Sequence, residues 1–281
     1  MMSVDLTMKD IQEKMCREKS CLFDTHAHYD HLLFGGNGPQ IVRRLFENNV
    51  VDGIVIPAIT YDSNFNREMF PVELFPNVFF AAGLHPKCAT NESWWPDAKI
   101  EEFEKFLSDT RTVAIKTGLD FSKKKLSDGQ KENQIRFFKY LIGRANDTGF
   151  SLVLHVRNAV AEVISVLREE RLKVEAVIHC YTYDKETAQE LMEAGITRFG
   201  IGGMLTRENM EPLRECVKDL PLSKILIETD APFVKPVGYS AALNTSETMI
   251  DVVKLVSMLK QLSIEEVVNS VQANAHCFYG R

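Results

Sequence analysis

Eight short runs rich in β-branched and aromatic residues recur along the chain, and they constrain the fold more than any other feature. They are Cys21–Thr25, Gly53–Pro57, Val78–Ala82, Thr112–Lys116, Ser151–Leu154, Ala176–His179, Arg198–Ile201 and Lys224–Thr229. Runs of this length and composition are typical of buried strands. Between them lie longer polar stretches with helical spacing, at Ile41–Asn48, Ile100–Leu107, Gln130–Ala145, Val160–Arg168, Lys185–Ala194 and Glu211–Leu220. Eight strands spaced by one helix each predict an α/β fold, a closed (β/α)8 TIM-type barrel.

The remaining segments fit a single barrel domain over residues 1–281. The pattern predicts a helix over Met8–Lys19, in an N-terminal extension 1–19, and two closing helices within 246–277. No linker rich in Gly, Pro or Ser divides the chain. An open doubly wound sheet is the alternative, and the lack of a Gly-rich dinucleotide fingerprint after the first strand disfavours it.

Composition and charge argue against several classes of protein. The chain is 45% hydrophobic with a net charge of −6, so bulk electrostatics do not favour a stable coat on nucleic acid or binding to an anionic membrane. No apolar run approaches the roughly 20 residues that span a bilayer. The first ten residues lack a secretory signal, and the six cysteines form no CxxC pair. We therefore expect a cytoplasmic protein with reduced thiols.

Histidines and an acid collect at the carboxyl ends of the predicted strands, which is where a catalytic barrel carries its chemistry. His26 and His28 end the first strand, and a spacing of two places both side chains on one face. His155, His179 and Asp230 end the fifth, sixth and eighth strands. One buried histidine is usually a hydrogen-bonded core residue, but unrelated core histidines would not all gather at one rim. The pattern therefore predicts that these five residues bind metal.

Eight motifs make the chain resemble the TatD family of metal-dependent hydrolases, within the amidohydrolase-like barrels. They are Asp24-Thr25-His26-Ala27-His28, Gly83-Leu84-His85-Pro86, Thr117-Gly118-Leu119-Asp120, Leu154-His155-Val156-Arg157, Ile178-His179-Cys180-Tyr181, Gly200-Ile201-Gly202-Gly203, Glu228-Thr229-Asp230-Ala231-Pro232 and Asn274-Ala275. They follow the family's order along the chain. The resemblance implies a divalent-metal phosphodiesterase of the deoxyribonuclease type, acting on a small phosphoester or a nucleic acid.

The resemblance also implies a ligand set. His26, His28 and Asp230 would hold one divalent metal ion, and His155 and His179 would hold a second. Zn, Mg, Mn, Ni and Fe are all candidates, since such sites accept several metals. Asp230 would also orient or deprotonate the attacking water.

Three further residues have two interpretations each. Arg157 clamps a phosphate through its planar guanidinium, or it begins a helix and pairs with a nearby acid. His85 contacts the substrate, or it is a rim residue held by Pro86. Glu228 plays a supporting role, hydrogen-bonding either a metal ligand or the barrel rim.

One position departs from the family. A glutamate that bridges the two metals stands four residues before the aspartate of the fourth-strand motif, and here that position is Lys116. An ammonium beside two dications is unfavourable. Lys116 is therefore carbamylated and bridges as a carboxylate would, or it stays cationic and leaves one metal, or catalysis has been lost.

Two alternative functions follow from Lys116. With a carbamate the site would suit an amidohydrolase acting on an amide or cyclic amide. With a degenerate site the chain would be a non-catalytic homologue that binds a metal or ligand. Phosphodiester hydrolysis remains the favoured function, and the sequence carries no signal of oligomeric state.

Overall fold

The computed structural model describes residues 21–90, 97–123 and 125–280, and all eight predicted strands are present. The strands are β1 (Leu22–Asp24), β2 (Val51–Pro57), β3 (Val78–Gly83), β4 (Thr112–Asp120), β5 (Ser151–Arg157), β6 (Ala176–Ile178), β7 (Arg198–Ile201) and β8 (Ile225–Ile227). They form one parallel eight-stranded sheet in chain order. The prediction of a (β/α)8 barrel is confirmed. The predicted helix Met8–Lys19 lies outside the described residues.

Eight α-helices accompany the strands in the part of the chain that is described. They are α1 (Gly38–Glu47), α2 (Asp97–Leu107), α3 (Asp128–Thr148), α4 (Val160–Glu170), α5 (Lys185–Glu193), α6 (Glu211–Asp219), α7 (Met249–Lys260) and α8 (Ile264–Tyr279). The two closing helices are thus present as α7 and α8. None of the described helices has the length and apolar character needed to cross a membrane.

The expectation of one helix between each pair of strands is wrong between β2 and β3. That connection is a 3₁₀ helix, Asp62–Met69. Ser63 Oγ accepts hydrogen bonds from two preceding backbone amides, and such side-chain bonds compete with α-helical ones. The Asn64 side chain bonds both the amide and the carbonyl of Gly83, at 3.0 Å each. This irregular segment therefore fixes the end of β3.

The barrel closes where β8 returns to β1. The Thr25 amide donates to the Ile227 carbonyl at 3.3 Å, and the Thr25 hydroxyl donates to the same oxygen at 2.9 Å. The fully buried Asp24 carboxylate accepts bonds from the amide and hydroxyl of Thr229 and from the Ser246 hydroxyl. Burial raises the pKa of Asp24 to about 6, although these hydrogen bonds oppose the shift. One acid thus ties β1, the end of β8 and the segment before α7 together.

An apolar layer fills the lower part of the barrel. Its members are Phe23, Val55, Phe79, Ala81, Val113, Ala114, Val153, Val177 and Leu226, joined by Ala275, Phe278 and Tyr279 of α8. The Tyr279 hydroxyl donates to the Thr25 carbonyl at 2.9 Å, so α8 covers the amino end of the barrel. Because side chains two residues apart on a strand face the same side, residues two places beyond this layer also face the interior. They are Lys116, His155, His179 and Glu228.

Replacing Asp24 by Ala should lower the free energy of unfolding by about 2–4 kcal/mol, because it leaves the buried donors of Thr229 and Ser246 without an acceptor. Urea unfolding followed by circular dichroism measures this. The matched control is Asp219→Ala, which removes an exposed acid paired with Lys185 and should change stability by less than about 0.5 kcal/mol. Equal effects of the two substitutions would contradict the role of Asp24 in closing the barrel.

Candidate metal centre

His26 and His28 lie on the loop after β1, and Asp230 lies on the loop after β8. The prediction that the two histidines share the face of a strand is wrong, because β1 ends at Asp24. The two loops are instead hydrogen-bonded to each other. The Asp230 amide donates to the His26 carbonyl at 2.8 Å, and the His28 amide donates to the Ala231 carbonyl at 2.7 Å. The loop pairing replaces the strand as the element that aligns the three residues.

The side chains of these residues converge, and we call them the β1–β8 cluster (His26, His28 and Asp230). Asp230 Oδ1 lies 3.4 Å from His28 Nε2 and 3.7 Å from His26 Nε2. Both rings are buried, whereas the Asp230 side chain is 17% exposed. Asp230 has a φ of +54°, a left-handed conformation that aspartate tolerates better than most residues. Two imidazole nitrogens and a carboxylate oxygen this close are a suitable donor set for a divalent cation.

His155 and His179 form a second group, which we call the β5–β6 pair. His155 lies inside β5, which continues past it to Arg157, and His179 follows β6 directly. Both strand ends thus differ slightly from the predicted ones. His155 Nδ1 and His179 Nε2 lie 3.0 Å apart.

A carboxylate faces the outer nitrogen of each ring in the β5–β6 pair. Asp120 Oδ2 lies 3.0 Å from His155 Nε2, and Glu228 Oε1 lies 3.7 Å from His179 Nδ1. The carboxylate of Asp120, at hydrogen-bonding distance, places the ring proton of His155 on Nε2. The lone pair of His155 Nδ1 then points at His179 Nε2, and a cation or a shared proton between the two nitrogens would stabilise the pair.

Asp120 is a site residue to which the sequence analysis gave no role. It ends β4. Its carboxylate accepts hydrogen bonds from the amide and the hydroxyl of Ser122, and it forms an ion pair with Lys87 at 3.3 Å. Burial tends to raise its pKa, but the hydrogen bonds from His155 and Ser122 outweigh burial and leave the pKa below its ordinary value. The carboxylate is therefore ionised. The sequence could have indicated Asp120, because an acid at the carboxyl end of a strand is the same pattern that predicted a role for Asp230.

Glu228 is held in place by its neighbours. The Cys180 amide donates to Glu228 Oε1 at 2.6 Å. A Cβ added at Gly200 would lie 2.2 Å from Glu228 Oε2, so only glycine at that position leaves room for the carboxylate. Burial raises the pKa of Glu228 well above its ordinary value. The geometry places Glu228 beside His179, and its supporting role stays a prediction.

His85 caps the short 3₁₀ turn Pro86–Cys88. Its Nδ1 accepts a hydrogen bond from the Lys87 amide at 3.2 Å. Burial above all lowers the pKa of His85 to about 2, so the ring is neutral. With Nδ1 acting as an acceptor, the ring proton sits on Nε2. Although His85 lies near Asp120 and His155 in a group of metal-type donors, it has no free lone pair at Nε2 and is better suited to donate a hydrogen bond.

Arg157 is the last residue of β5, and α4 begins only at Val160. Its side chain is exposed, and among the described residues its guanidinium makes no ion pair with an acid. The alternative in which Arg157 starts a helix and pairs with a nearby acid is therefore not what the structure shows. Its contact with a phosphate stays a prediction.

Lys116 lies in the middle of β4 rather than at its end, since β4 continues to Asp120. The side chain is 1% exposed and faces the barrel interior, as does Ala114. Its Nζ lies 3.4 Å from His26 Nε2. The ion pairs found within the described residues do not include Lys116. The buried amine of Lys116 thus lies beside a histidine of the β1–β8 cluster and forms no ion pair with an acid of the described residues.

The charge of Lys116 affects histidines in both groups. Burial lowers the pKa of Lys116 to about 7, with Asp230 and Glu228 opposing the shift. Burial is also the main reason that the pKa values of His26 and His179 are lowered, and the charge of Lys116 lowers both further. These rings are neutral, which is the protonation state that a metal requires of its histidine ligands.

The two groups fit a divalent cation unequally. The β1–β8 cluster supplies two nitrogens and an anionic oxygen, a full set of protein ligands for a catalytic metal. The β5–β6 pair supplies two nitrogens only. It would need an anionic ligand from the position of Lys116 to complete a second site.

Comparison with known proteins identifies the family of the chain. The sequence matches the family of TatD related DNases over residues 23–280. The uncharacterized metal-dependent hydrolase YabD of Bacillus subtilis is 30% identical over 260 residues, which cover 90% of this chain and 97% of YabD. YcfH of Escherichia coli, also an uncharacterized metal-dependent hydrolase, is 30% identical over 193 residues, covering 68% of this chain and 69% of YcfH. The crystal structure of YjjV, a TatD homologue from Escherichia coli, superposes with a TM-score of 0.81 at 24% identity, covering 93% of this chain and 99% of YjjV.

The chain belongs to the TatD related DNase family. The resemblance drawn from its eight motifs is confirmed, and the chain is a metal-dependent hydrolase of the TatD family. The match spans both the β1–β8 cluster and the β5–β6 pair. Within this TatD-family barrel the ligand roles of the individual histidines and of Asp230 remain predictions that the geometry supports.

Replacing Asp120 by Ala should weaken metal binding at the β5–β6 pair by about 10–100-fold, because His155 loses the carboxylate that fixes its tautomer. Asp120→Asn keeps an acceptor and should lose less. Competition against a chromophoric chelator measures both affinities. Asp128→Ala, which removes an exposed acid from the first turn of α3, serves as the control. Unchanged affinity in Asp120→Ala would show that His155 does not bind metal.

Proposed function

We propose that this TatD-family chain is a divalent-metal-dependent phosphodiesterase of the DNase type. The observation that carries the proposal is the β1–β8 cluster, in which two buried imidazoles meet a partly exposed carboxylate at the carboxyl end of the barrel. Bound there, a divalent metal would polarise a phosphoryl oxygen and lower the pKa of a coordinated water.

The residues of the chain supply the proton chemistry. Asp230, the exposed member of the cluster, accepts a proton from the attacking water as its oxygen bonds to phosphorus. The bond from phosphorus to the leaving oxygen breaks, and that oxygen takes up the proton. His85, neutral and protonated at Nε2, donates a hydrogen bond to the phosphate. Arg157, exposed at the end of β5 and not paired with an acid among the described residues, binds a phosphate oxygen.

Lys116 completes the proposal as a carbamate. It lies between the two groups of donors, is buried, and makes no ion pair within the described part of the chain. Its neutral amine adds to the carbon of CO₂: the nitrogen–carbon bond forms, the π-bond of one C=O breaks to leave a negatively charged oxygen, and the nitrogen loses one proton to solvent. The product is an anion at the position where the family carries a glutamate, and it would supply the ligand that the β5–β6 pair lacks. The alternative is an ammonium at Lys116 with a single metal in the β1–β8 cluster.

The buried Lys116 beside the histidines also favours a second candidate function, hydrolysis of an amide or cyclic amide. A carbamylated lysine beside histidine ligands suits a water attacking a carbonyl as well as one attacking phosphorus. Parallel assays of a phosphodiester and a cyclic amide distinguish the two functions. Turnover of the cyclic amide alone would replace the phosphodiesterase proposal.

Replacing Asp230 by Asn should lower kcat for a phosphodiester such as bis(p-nitrophenyl) phosphate by at least about 10²-fold, because the general base is removed. Circular dichroism and thermal unfolding check that the fold is retained. Asp62→Asn changes an exposed acid after β2, at the same end of the barrel, and should leave kcat unaltered. Activity of Asp230→Asn at the level of the parent would remove this mechanism.

Replacing Lys116 by Glu should let the metal-stripped protein bind two equivalents of metal without bicarbonate, whereas the parent should need bicarbonate for the second equivalent. Elemental analysis after gel filtration measures the occupancy. Lys185→Glu, at an exposed lysine on α5, controls for the added negative charge. A second equivalent in the parent that does not depend on bicarbonate would contradict carbamylation, and one equivalent under both conditions would favour the alternative with a single metal.

A further inference from the structure

Four exposed apolar side chains lie on the two loops that carry the β1–β8 cluster, and we call them the apolar rim. Leu32 and Leu33 follow His31 on the loop after β1, and Phe233 and Val237 belong to the loop after β8. The two loops are joined beside the cluster by the backbone bond from His28 to Ala231. Apolar side chains grouped at the mouth of a site are a mark of ligand recognition.

Phe233 is the member of the rim whose ring contacts a histidine of the cluster. The centroid of its ring lies 6.5 Å from that of His28 and 5.0 Å from that of His31, both close to edge-on. The ring is 39% exposed and belongs to neither apolar core cluster of the described residues. Its ring contacts within the described residues are with two histidines of the loop after β1, so the ring lies at the mouth of the cluster rather than in the core.

The backbone of Phe233 is held rigidly despite its exposed side chain. Its amide donates to the Asp230 carbonyl at 2.9 Å, and its carbonyl accepts a bond from Asn244 Nδ2 at 2.8 Å. Asn244 is fully buried and also donates to the Thr229 carbonyl. The Cα of Phe233 therefore has a fixed position relative to Asp230, and edge contacts with His28 and His31 orient the ring. An aromatic surface that is already in place loses little entropy when a flat group stacks on it.

The opposite side of the mouth carries positive charge. Because the eight strands follow chain order around the barrel, β4 and β5 lie across from β8 and β1. Lys87, after β3, has a half-exposed side chain whose Nζ lies 3.3 Å from Asp120. Arg157 ends β5 and is exposed. The mouth is thus apolar and aromatic on one side and cationic on the other.

We propose that Phe233 is a specificity-determining residue that stacks on a flat aromatic group of the ligand, while Lys87 and Arg157 bind its phosphate. A nucleotide unit has this chemistry, with a planar base joined through a sugar to an anion. The inference rests on the proposed function, since it places the non-reacting part of the same substrate. It adds that the base contributes binding energy at this rim through its π-face rather than through hydrogen bonds.

The test compares binding of adenosine 5′-monophosphate with that of ribose 5-phosphate, which carries the same phosphate without the base. Calorimetric titration of the metal-loaded protein should show about tenfold tighter binding of the nucleotide. Phe233→Ala should abolish this preference and leave the affinity for ribose 5-phosphate unchanged. Phe233→Leu, which keeps apolar area without an aromatic face, should restore only part of it.

Phe65→Ala is the matched control. Phe65 has a similarly exposed ring, but it packs against Phe106 and Tyr61 on the connection between β2 and β3. This variant should retain the preference for the nucleotide. Lys87→Met should weaken both ligands by the same factor, since it removes a phosphate contact that the two ligands share. Binding is measured at saturating metal, because Lys87 also pairs with Asp120.

Three outcomes would overturn the proposal. The first is an equal affinity of the parent protein for the two ligands. The second is a preference that survives Phe233→Ala. The third is a change of oligomeric state in Phe233→Ala with no change in the preference, which would make the apolar rim an interface between copies of the chain. A Phe233-dependent preference in a protein that does not hydrolyse phosphodiesters would sustain this inference and reject the proposed function.

Discussion

The closure of β8 onto β1 through the Asp24 carboxylate is the constraint on which the candidate site depends. His26 and His28 are separated from Asp230 by some 200 residues of sequence, and they meet only because the first and last strands are neighbours. At the ends of these strands, the Asp24 carboxylate accepts hydrogen bonds from Thr229 and Ser246. Beyond the strands, backbone hydrogen bonds that involve His26, His28 and Asp230 join the two loops. The fold and the metal-type cluster therefore share one set of hydrogen bonds.

Much of this architecture can be predicted from the sequence, because parallel barrels repeat one simple pattern. The alternation of short β-branched runs with polar helical stretches is enough to predict eight strands in order. The same pattern locates polar residues at strand ends, and this brought His155, His179 and Asp230 into the candidate site. The conformation of the loops and short elements was harder to predict. The loops at this end of the barrel are held by side-chain bonds of Asp24 and Asn64 to Thr229 and Gly83, partners that a local pattern does not reveal.

The partners that orient the histidines were also beyond the sequence pattern. Asp120 was visible as a strand-end acid, but its pairing with His155 depends on the register between β4 and β5. Gly118 permits that register, since its φ is +135° and an added Cβ would lie 1.9 Å from the His155 carbonyl oxygen. The tautomer of His85 follows from one backbone bond within a turn. Such details depend on distances of a few tenths of an ångström, which spacing along the chain does not encode.

Lys116 is the buried amine at the centre of the candidate site, and its charge affects the histidines around it. A buried amine next to neutral imidazoles disfavours a second cation while it is charged, and it favours one once it becomes a carbamate. The carboxylates of Asp120 and Glu228 remain aimed at the histidine pair in either state. Under the proposed carbamylation, these carboxylates and histidines would frame a two-metal site around Lys116.

The most direct test of the account is a titration of the metal-stripped protein with Mn²⁺, in bicarbonate buffer, while hydrolysis of bis(p-nitrophenyl) phosphate is followed. The account predicts no turnover in the stripped protein and a rise in turnover that saturates when the sites are filled. Metal binding without turnover at any ratio of metal to protein would contradict it, as would turnover by the stripped protein at the rate of the loaded one.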